Sequence, residues 1–205
     1  ASEAALQHEL GRQLYERRYF IRMQSWSQVT HQHRGMLLGN LWLILSPILD
    51  GLVYFLIFGV LFHARGGVEN YFGYLVVGIF MFGYTGRALN ACAGSVHSNV
   101  GLIRAFTFPR ASLPLAAALR ELISTIPAAI AMVALIVLVP PGAAATPLWL
   151  MTGFVFALQS ALNVGLGLLL ARLGAAIPDV RHLLPYFIRL WLYGSAVMFA
   201  VERFD

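Results

Sequence analysis

Long apolar runs leave this chain few ways to fold. From Met36 to Phe62 the polar breaks are Asn40, Ser46, Pro47 and Asp50, and similar stretches recur over 71–95, 115–139, 148–173 and 185–201. As a helix, the first run is ~40 Å long, enough to cross a ~30 Å hydrocarbon core with tilt or a bend at Pro47. With 59% hydrophobic and 11% charged residues, the chain lies far from soluble domains, at ~45–50% and ~25%. It is equally far from disordered chains, which combine low hydrophobicity with high net charge. Its 205 residues accommodate five or six spans and no large soluble domain. The expectation is an all-α polytopic membrane helix bundle with five spans.

The connections set the orientation, because Lys and Arg resist translocation. Before the first span lie Arg12, Arg17, Arg18, Arg22 and Arg34; the loop from Val96 to Pro114 holds Arg104 and Arg110, with Arg120 just inside the next span. Arg172 and Arg181 flank the polar loop from Gly174 to Leu184, which also contains Asp179 and His182. The intervening connections are nearly free of Arg: HARGGVEN, from His63 to Asn70, has Arg65, and PPGAAATP, from Pro140 to Pro147, has none. The N-terminus and both Arg-bearing loops are therefore expected on the cytoplasmic side of the inner membrane, with the C-terminus outside. Residues 1–35 read as a cytoplasmic amphipathic segment and 36–205 as the transmembrane domain.

Within that first segment Leu6, Leu10, Leu14 and Ile21 fall within ~80° of arc at 100° per residue, with Arg12, Arg18 and Arg22 away from them and Arg17 intruding. This is either a membrane-surface anchor or a docking element for a cytoplasmic partner. No cleavable signal is expected in it, so the first span would direct insertion. Cys92 sits in an apolar run and reads as a small buried residue. A net charge of +5 does not imply nucleic acid, since the Arg are scattered at the ends of apolar runs and form no stripe. All 14 basic residues are Arg. Without Lys the chain cannot build a phosphate-binding P-loop, so it does not bind ATP in that way.

Enzyme signatures are absent: there is no HExxH, CxxC, GxSxG or close carboxylate pair within one apolar run. His31 and His33 would point ~200° apart on a helix and make poor joint metal ligands. Gly165 and Gly167, and likewise Gly35 and Gly39, have spacings that suit close helix packing. Two intramembrane charges stand out. Asp50 lies ~21 Å along the first span from Met36 and Arg87 ~24 Å along the second from Tyr71, which runs the other way; in a ~30 Å core both fall in or near its inner half, one to two turns apart in depth. Charges there pair or face water. Asp50 and Arg87 are expected either to pair structurally or to flank a hydrated path. Aromatics crowd the first two spans and the last, among them Trp42, Tyr54, Phe58, Trp191 and Tyr193. They serve as interfacial belt, as helix packing, or as flat faces along which a sugar or lipid slides.

Three patterns occur in order along the chain. Arg34-Gly-Met-Leu-Leu-Gly-Asn-Leu-Trp42, followed by Ser46-Pro47-Ile48 and Val53-Tyr54, opens the first span; Asn99-Val-Gly-Leu-Ile103-Arg104 leads to Phe108-Pro109-Arg110; Pro178-Asp179-Val180-Arg181-His182-Leu183-Leu184 precedes the fifth. Together they resemble the permease subunits of polysaccharide-exporting ABC transporters, the Wzm-type exporters of O-antigen, teichoic acid and capsule. Two departures are visible: Pro178 stands where the family usually has Arg, and the family has six spans, so a sixth is expected beyond Asp205. The resemblance implies a homodimeric channel that binds no cofactor itself and draws energy from two copies of a separate ATPase subunit, where ATP and Mg would sit. It implies an ATPase-coupling loop of Asn99, Leu102, Ile103, Arg104, Phe108, Pro109 and Arg110, with Leu10, Leu14, Arg17, Arg18 and Arg22 on the interface helix. Arg104 and Arg110 would pair with acidic groups of the ATPase or simply enforce orientation. The implied cargo is a polyprenyl-diphosphate-linked polysaccharide, with a cell-wall galactan one candidate given the Arg-, Ala- and Gly-rich composition. Three rivals are a drug- or lipid-exporting ABC permease, a membrane glycan-processing enzyme, and a secondary transporter using Asp50.

Overall fold

The computed structural model describes residues 41–54, 56–57, 71–105, 111–138 and 149–195. The expected surface helix with Leu10, Leu14, Arg17, Arg18 and Arg22 lies outside these residues, as do Phe58, Phe108, Pro109 and Arg110. Among the described residues all regular structure is helical. The helices are α1 (Trp42–Tyr54), α2 (Tyr71–Ser98), α3 (Val100–Ala105), α4 (Ser112–Leu138), α5 (Trp149–Ala176) and α6 (Val180–Gly194). Stretches within α2, α4 and α5 (Gly73–Ser98, Ser112–Ala134 and Met151–Ala176) are long and apolar enough to cross a membrane. As described, α1 and α6 reach 13 and 15 residues. The chain is an all-α polytopic membrane protein.

In a bilayer, helices gain little by hiding apolar surface from one another, so association rests on close packing and on hydrogen bonds between helices. α2 has both. It packs most extensively on α5 and α4 and also touches α6 and α1. Over the apolar window of α2, 56% is buried inside the bundle, against 17% for α5, which makes α2 the hub and α5 a peripheral helix. On the α4 side, Val76 and Phe80 interleave with Ala128, Met132 and Ile136. On the α5 and α6 side, Leu89 and Ala93 meet Leu184, flanked by Leu166, Leu170 and Ile188.

The buried residues of α5 recur at helical spacing: Asn163, Gly167, Ala171 and Gly174. A Cβ on Gly167 would lie 2.7 Å from Cys92 Sγ and 3.1 Å from its Cβ, and one on Gly174 would lie 2.6 Å from the Ala93 carbonyl oxygen. Gly174 therefore admits the α2 backbone, and Gly167 the Cys92 side chain, to a distance no other residue allows. Gly165 faces open space, so of the glycine pair expected to serve packing only Gly167 does so. Cys92 is buried, as expected, and its thiol donates to the Pro114 carbonyl at 3.4 Å.

Two side-chain bridges reinforce the α2–α5 contact. The Gln159 amide donates to the Met81 carbonyl (2.7 Å) and to Thr85 Oγ1 (2.8 Å), and the Tyr84 hydroxyl donates to Ser160 Oγ (3.1 Å). Tyr84 also lies against Phe156 with ring centroids 5.2 Å apart. Asn163, 1% exposed, has no hydrogen-bond partner for either side-chain polar atom.

Among the described residues, the two Arg-bearing connections carry more helix than the sequence implies. α2 runs on to Ser98 because side chains bond the carbonyls of its last turns: Ser95 to Cys92, Ser98 to Gly94, and Asn99 to Ser95. Among its described residues, the segment read as a loop from Val96 to Pro114 is largely helical, with α3 inside it and Pro114 in the first turn of α4, where its missing N–H costs nothing. Likewise the loop expected from Gly174 to Leu184 shrinks to Ile177, Pro178 and Asp179, and Arg181 and His182 lie in the first turn of α6. Pro185, expected to open the last span, sits within α6.

Candidate functional site

Among the described residues, charged side chains from three helices meet at one cavity. A cavity of about 280 Å³ opens between α1, α2 and α6, lined by Asp50, Arg87, Asn90 and Arg189 among apolar neighbours that include Phe82, Ile188 and Leu192. Glycines shape its α2 wall. The Arg87 guanidinium reaches back along the helix over Gly83, where a Cβ would stand 3.3 Å from Nη1. One turn on, Gly86 lets Ile188 of α6 approach, with only 3.1 Å left for a Cβ against Cγ2. Asn90 donates to the Gly86 carbonyl at 2.8 Å, which fixes its amide at the cavity edge.

The structure brings Asp50 and Arg87 to one cavity without a direct bond between them; among the described residues the ion pair is instead Arg120 with Glu121, 2.9 Å apart on α4. Both nitrogens of that contact reach a single oxygen, Glu121 Oε1, and Glu121 is 7% exposed. Arg189 is a cavity residue that the sequence reading misses. Its signal is nonetheless there, as the one charge inside the apolar stretch 185–201.

Two further concavities adjoin the first. One, about 410 Å³ and mostly polar, lies between α2 and α4 and is lined by Asn90, Ser95, Ser98, Asn99 and Arg120 among others. Asn90 belongs to both cavities, and Arg87, Asn90, Gly94 and Ser98 follow one face of α2 at helical spacing. The other is an almost wholly apolar groove of about 670 Å³ between α5 and α6, walled by Leu166, Leu169, Leu170, Leu183, Phe187 and Trp191 with further leucines. Ile188 lines both this groove and the charged cavity.

The other residues expected to be functional are dispersed over the bundle. Trp191 packs edge-on against Phe82, centroids 5.5 Å apart, and is half exposed along the groove; Tyr193 is similarly exposed. Trp42 and Tyr54 mark the two ends of α1. Asn99 forms the turn between α2 and α3, its carbonyl accepting from the Ile103 amide at 3.0 Å, and Leu102 and Arg104 lie on α3. Asp179 caps α6 through its backbone, accepting from the amides of His182 and Leu183, each at 3.0 Å, while its side chain makes no capping bond. Arg181 Nε donates to the Pro178 carbonyl at 3.3 Å, so the position where the resembled family carries Arg contributes a main-chain acceptor here.

A bundle of apolar helices around a polar-faced hub holds arginines at an internal cavity, and ionisable groups placed so in a membrane protein are costly and mark a functional site. No protein-family model matches the chain. Curated relatives do. The chain is 23% identical over 195 residues, 94% of its length, to an O-antigen export system permease protein of Myxococcus xanthus, and 23% identical over 175 residues, 83% of its length, to one of Klebsiella pneumoniae. A second Klebsiella pneumoniae protein of that name matches 90 residues at 26% identity. The chain spans 73% of the first relative and 65% of the second. These relatives carry the function of the family that the three sequence patterns resemble.

Proposed function

We propose that this chain is the membrane-spanning subunit of an ATP-driven exporter, moving a polyprenyl-diphosphate-linked polysaccharide of O-antigen, teichoic acid or cell-wall galactan type across the cytoplasmic membrane. The observation that carries the reading is the alignment of 94% of the chain with a permease named for O-antigen export. In this reading two copies form the channel and two copies of an ATPase subunit dock on the cytoplasmic side. The N-terminal amphipathic segment and the stretch from Asn99 to Arg110 are the docking elements. The chain has no Lys for a P-loop, which suits an energy source on another subunit. α3 joins directly to the hub α2 through the bonded turn at Asn99, a short route by which a push from below reaches the centre of the bundle.

The test is co-purification with a candidate ATPase subunit, reconstitution, and a survey of lipid-linked glycans for stimulation of hydrolysis. Arg104→Ala and Phe108→Ala should abolish stimulation and leave basal hydrolysis intact. Unchanged export and unchanged stimulation in both variants would overturn the coupling role. The second reading, a drug- or lipid-exporting permease of the same ABC class, draws on the leucine-walled groove. Stimulation by lipids or drugs, with none by glycans, would select it.

A further inference from the structure

Four charged side chains gather where α1, α2 and α4 meet. Asp50 and Arg87 line the cavity between α1, α2 and α6, Arg120 lines the polar cavity between α2 and α4, and Asn90 belongs to both. The fourth, Glu121, is within electrostatic reach of both guanidinium groups. Ala117 and Ala118, one turn before it on α4, pack against Cys92 of α2, and helical spacing turns Glu121 to the same side. Among the acidic groups it acts most strongly on Arg87, ahead of Asp50. Yet its bonds go to Arg120, its neighbour in sequence, although adjacent residues on a helix do not face each other. The contact is correspondingly one-sided. Nε and Nη2 of Arg120 both reach Oε1, at 3.2 and 2.9 Å, where a fork-to-fork pair would engage both oxygens. Oε2 has no bond among the described residues, and neither has the Arg87 guanidinium.

We propose that Glu121 is the shared carboxylate of an ion-pair switch with two positions, bonded to Arg120 in this structure and to Arg87 in a second state. The exchange takes new side-chain rotamers and no movement of a helix, which suits a hub as closely packed as α2. In the first position Arg87 is left to the cavity it lines with Asp50 and Arg189. In the second it withdraws towards α4 and leaves Asp50 to Arg189, while Arg120 turns into the polar cavity, whose amides and room for water receive it. The buried carboxylate is never without a cation, as it must be, since an unpaired buried charge is costly. Each position thus offers a positive charge to one cavity and withdraws it from the other. The first is the more stable, so removing Arg120 costs the gap between the two. The switch belongs to this chain alone and does not rest on the export reading.

The experiment is a triple-mutant cycle over Arg87→Gln, Arg120→Ala and Glu121→Gln, read as unfolding equilibrium constants of the full chain in mild-detergent micelles titrated with a denaturing detergent. With Arg120 in place, the effects of Arg87→Gln and Glu121→Gln should be close to additive. In the Arg120→Ala background, Arg87→Gln should favour unfolding about tenfold more than it does in the wild type, and Glu121→Gln should erase that excess. Arg87→Lys, which keeps the charge, should show less of it than Arg87→Gln. The structure of the Arg120→Ala variant should have the Arg87 guanidinium on Glu121. The same coupling between Arg87 and Glu121 with and without Arg120 would reduce their relation to a fixed background field and overturn the switch. So would Arg87 still turned to Asp50 in the variant structure. An Arg120→Ala chain that fails to fold, where Arg120→Ala with Glu121→Gln folds, would show that Arg87 does not reach the carboxylate and would overturn it as well. Since neither ATPase nor cargo is present, the coupling found in a chain that exports no glycan would sink the export reading alone, and export without the coupling would sink the switch alone.

Discussion

Gly167→Ala adds a single methyl group where α5 meets α2, and the local geometry dictates the cost. The new carbon would sit 2.7 Å from Cys92 Sγ and 3.1 Å from Cys92 Cβ. Comfortable contact between such atoms is ~3.5–4.0 Å. Cys92 cannot swing aside, being 1% exposed and tied to the Pro114 carbonyl, so the helices must part locally by about 1 Å. A gap of that size forfeits a quarter to a half of each dispersion contact it opens, and overpacking of this kind costs about 1–3 kcal/mol. Gly165→Ala is the internal control, because nothing lies within 4 Å of its added carbon. It should be neutral or stabilising by ~0.5–1 kcal/mol through helix propensity. Cys92→Ala removes the closer of the two clashing atoms and should restore part of the loss in the double variant, a coupling that distant sites do not show. Thermal melting followed by tryptophan fluorescence reads all four proteins, since the chain has 4 Trp. In the wild type, labelling of the buried Cys92 thiol gives a second trace. Equal melting of the Gly167→Ala and Gly165→Ala variants, or additive effects with Cys92→Ala, would refute the close-approach argument.

Gln159→Leu removes both bonds to α2 and should cost about 1 kcal/mol in the same melting assay, with Tyr84→Phe costing less because its ring contact with Phe156 survives. Arg120→Ala strands the buried Glu121 carboxylate and should destabilise the chain by about 3 kcal/mol; adding Glu121→Gln should recover most of it, and a double variant no better than Arg120→Ala would argue against the ion pair.

Helix existence was legible in the sequence because it depends on apolar length alone. The runs at 71–95, 115–139 and 148–173 became Tyr71–Ser98, Ser112–Leu138 and Trp149–Ala176. Their ends were not legible. Asn99, Ser95 and Ser98 look like loop residues by type, yet their side chains bond carbonyls of the preceding turn and extend the helix. Pro185 looks like a breaker, but α6 forgoes one hydrogen bond and carries it. The meeting of Asp50 and Arg87 at one cavity could be approached from depth arithmetic, since rise per residue is constant. Arg189 could not be joined to them in that way, because its partner helices are set by packing at Gly86 and Ile188 and not by spacing along the chain. The α2–α5 bridges were invisible for the same reason: Gln159, Ser160 and Thr85 are ordinary polar residues until the glycines bring the two backbones together.

That glycine contact also restricts how the molecule can move. Sliding α5 along α2 by one turn, ~5.4 Å, would carry Asn163 or Ala171 to the place where Gly167 now meets Cys92. Either brings a side chain into a space that has no room for one. Gly167 and Gly174 together key the two helices in one register, and a one-turn shear between them is closed as a route of motion. A conformational cycle in this bundle therefore carries α2 and α5 as one piece. α6 is largely exposed and touches α5 only lightly, and any swing of it would have to part Ile188 from Gly86 before it widened the gap between Arg87 and Arg189.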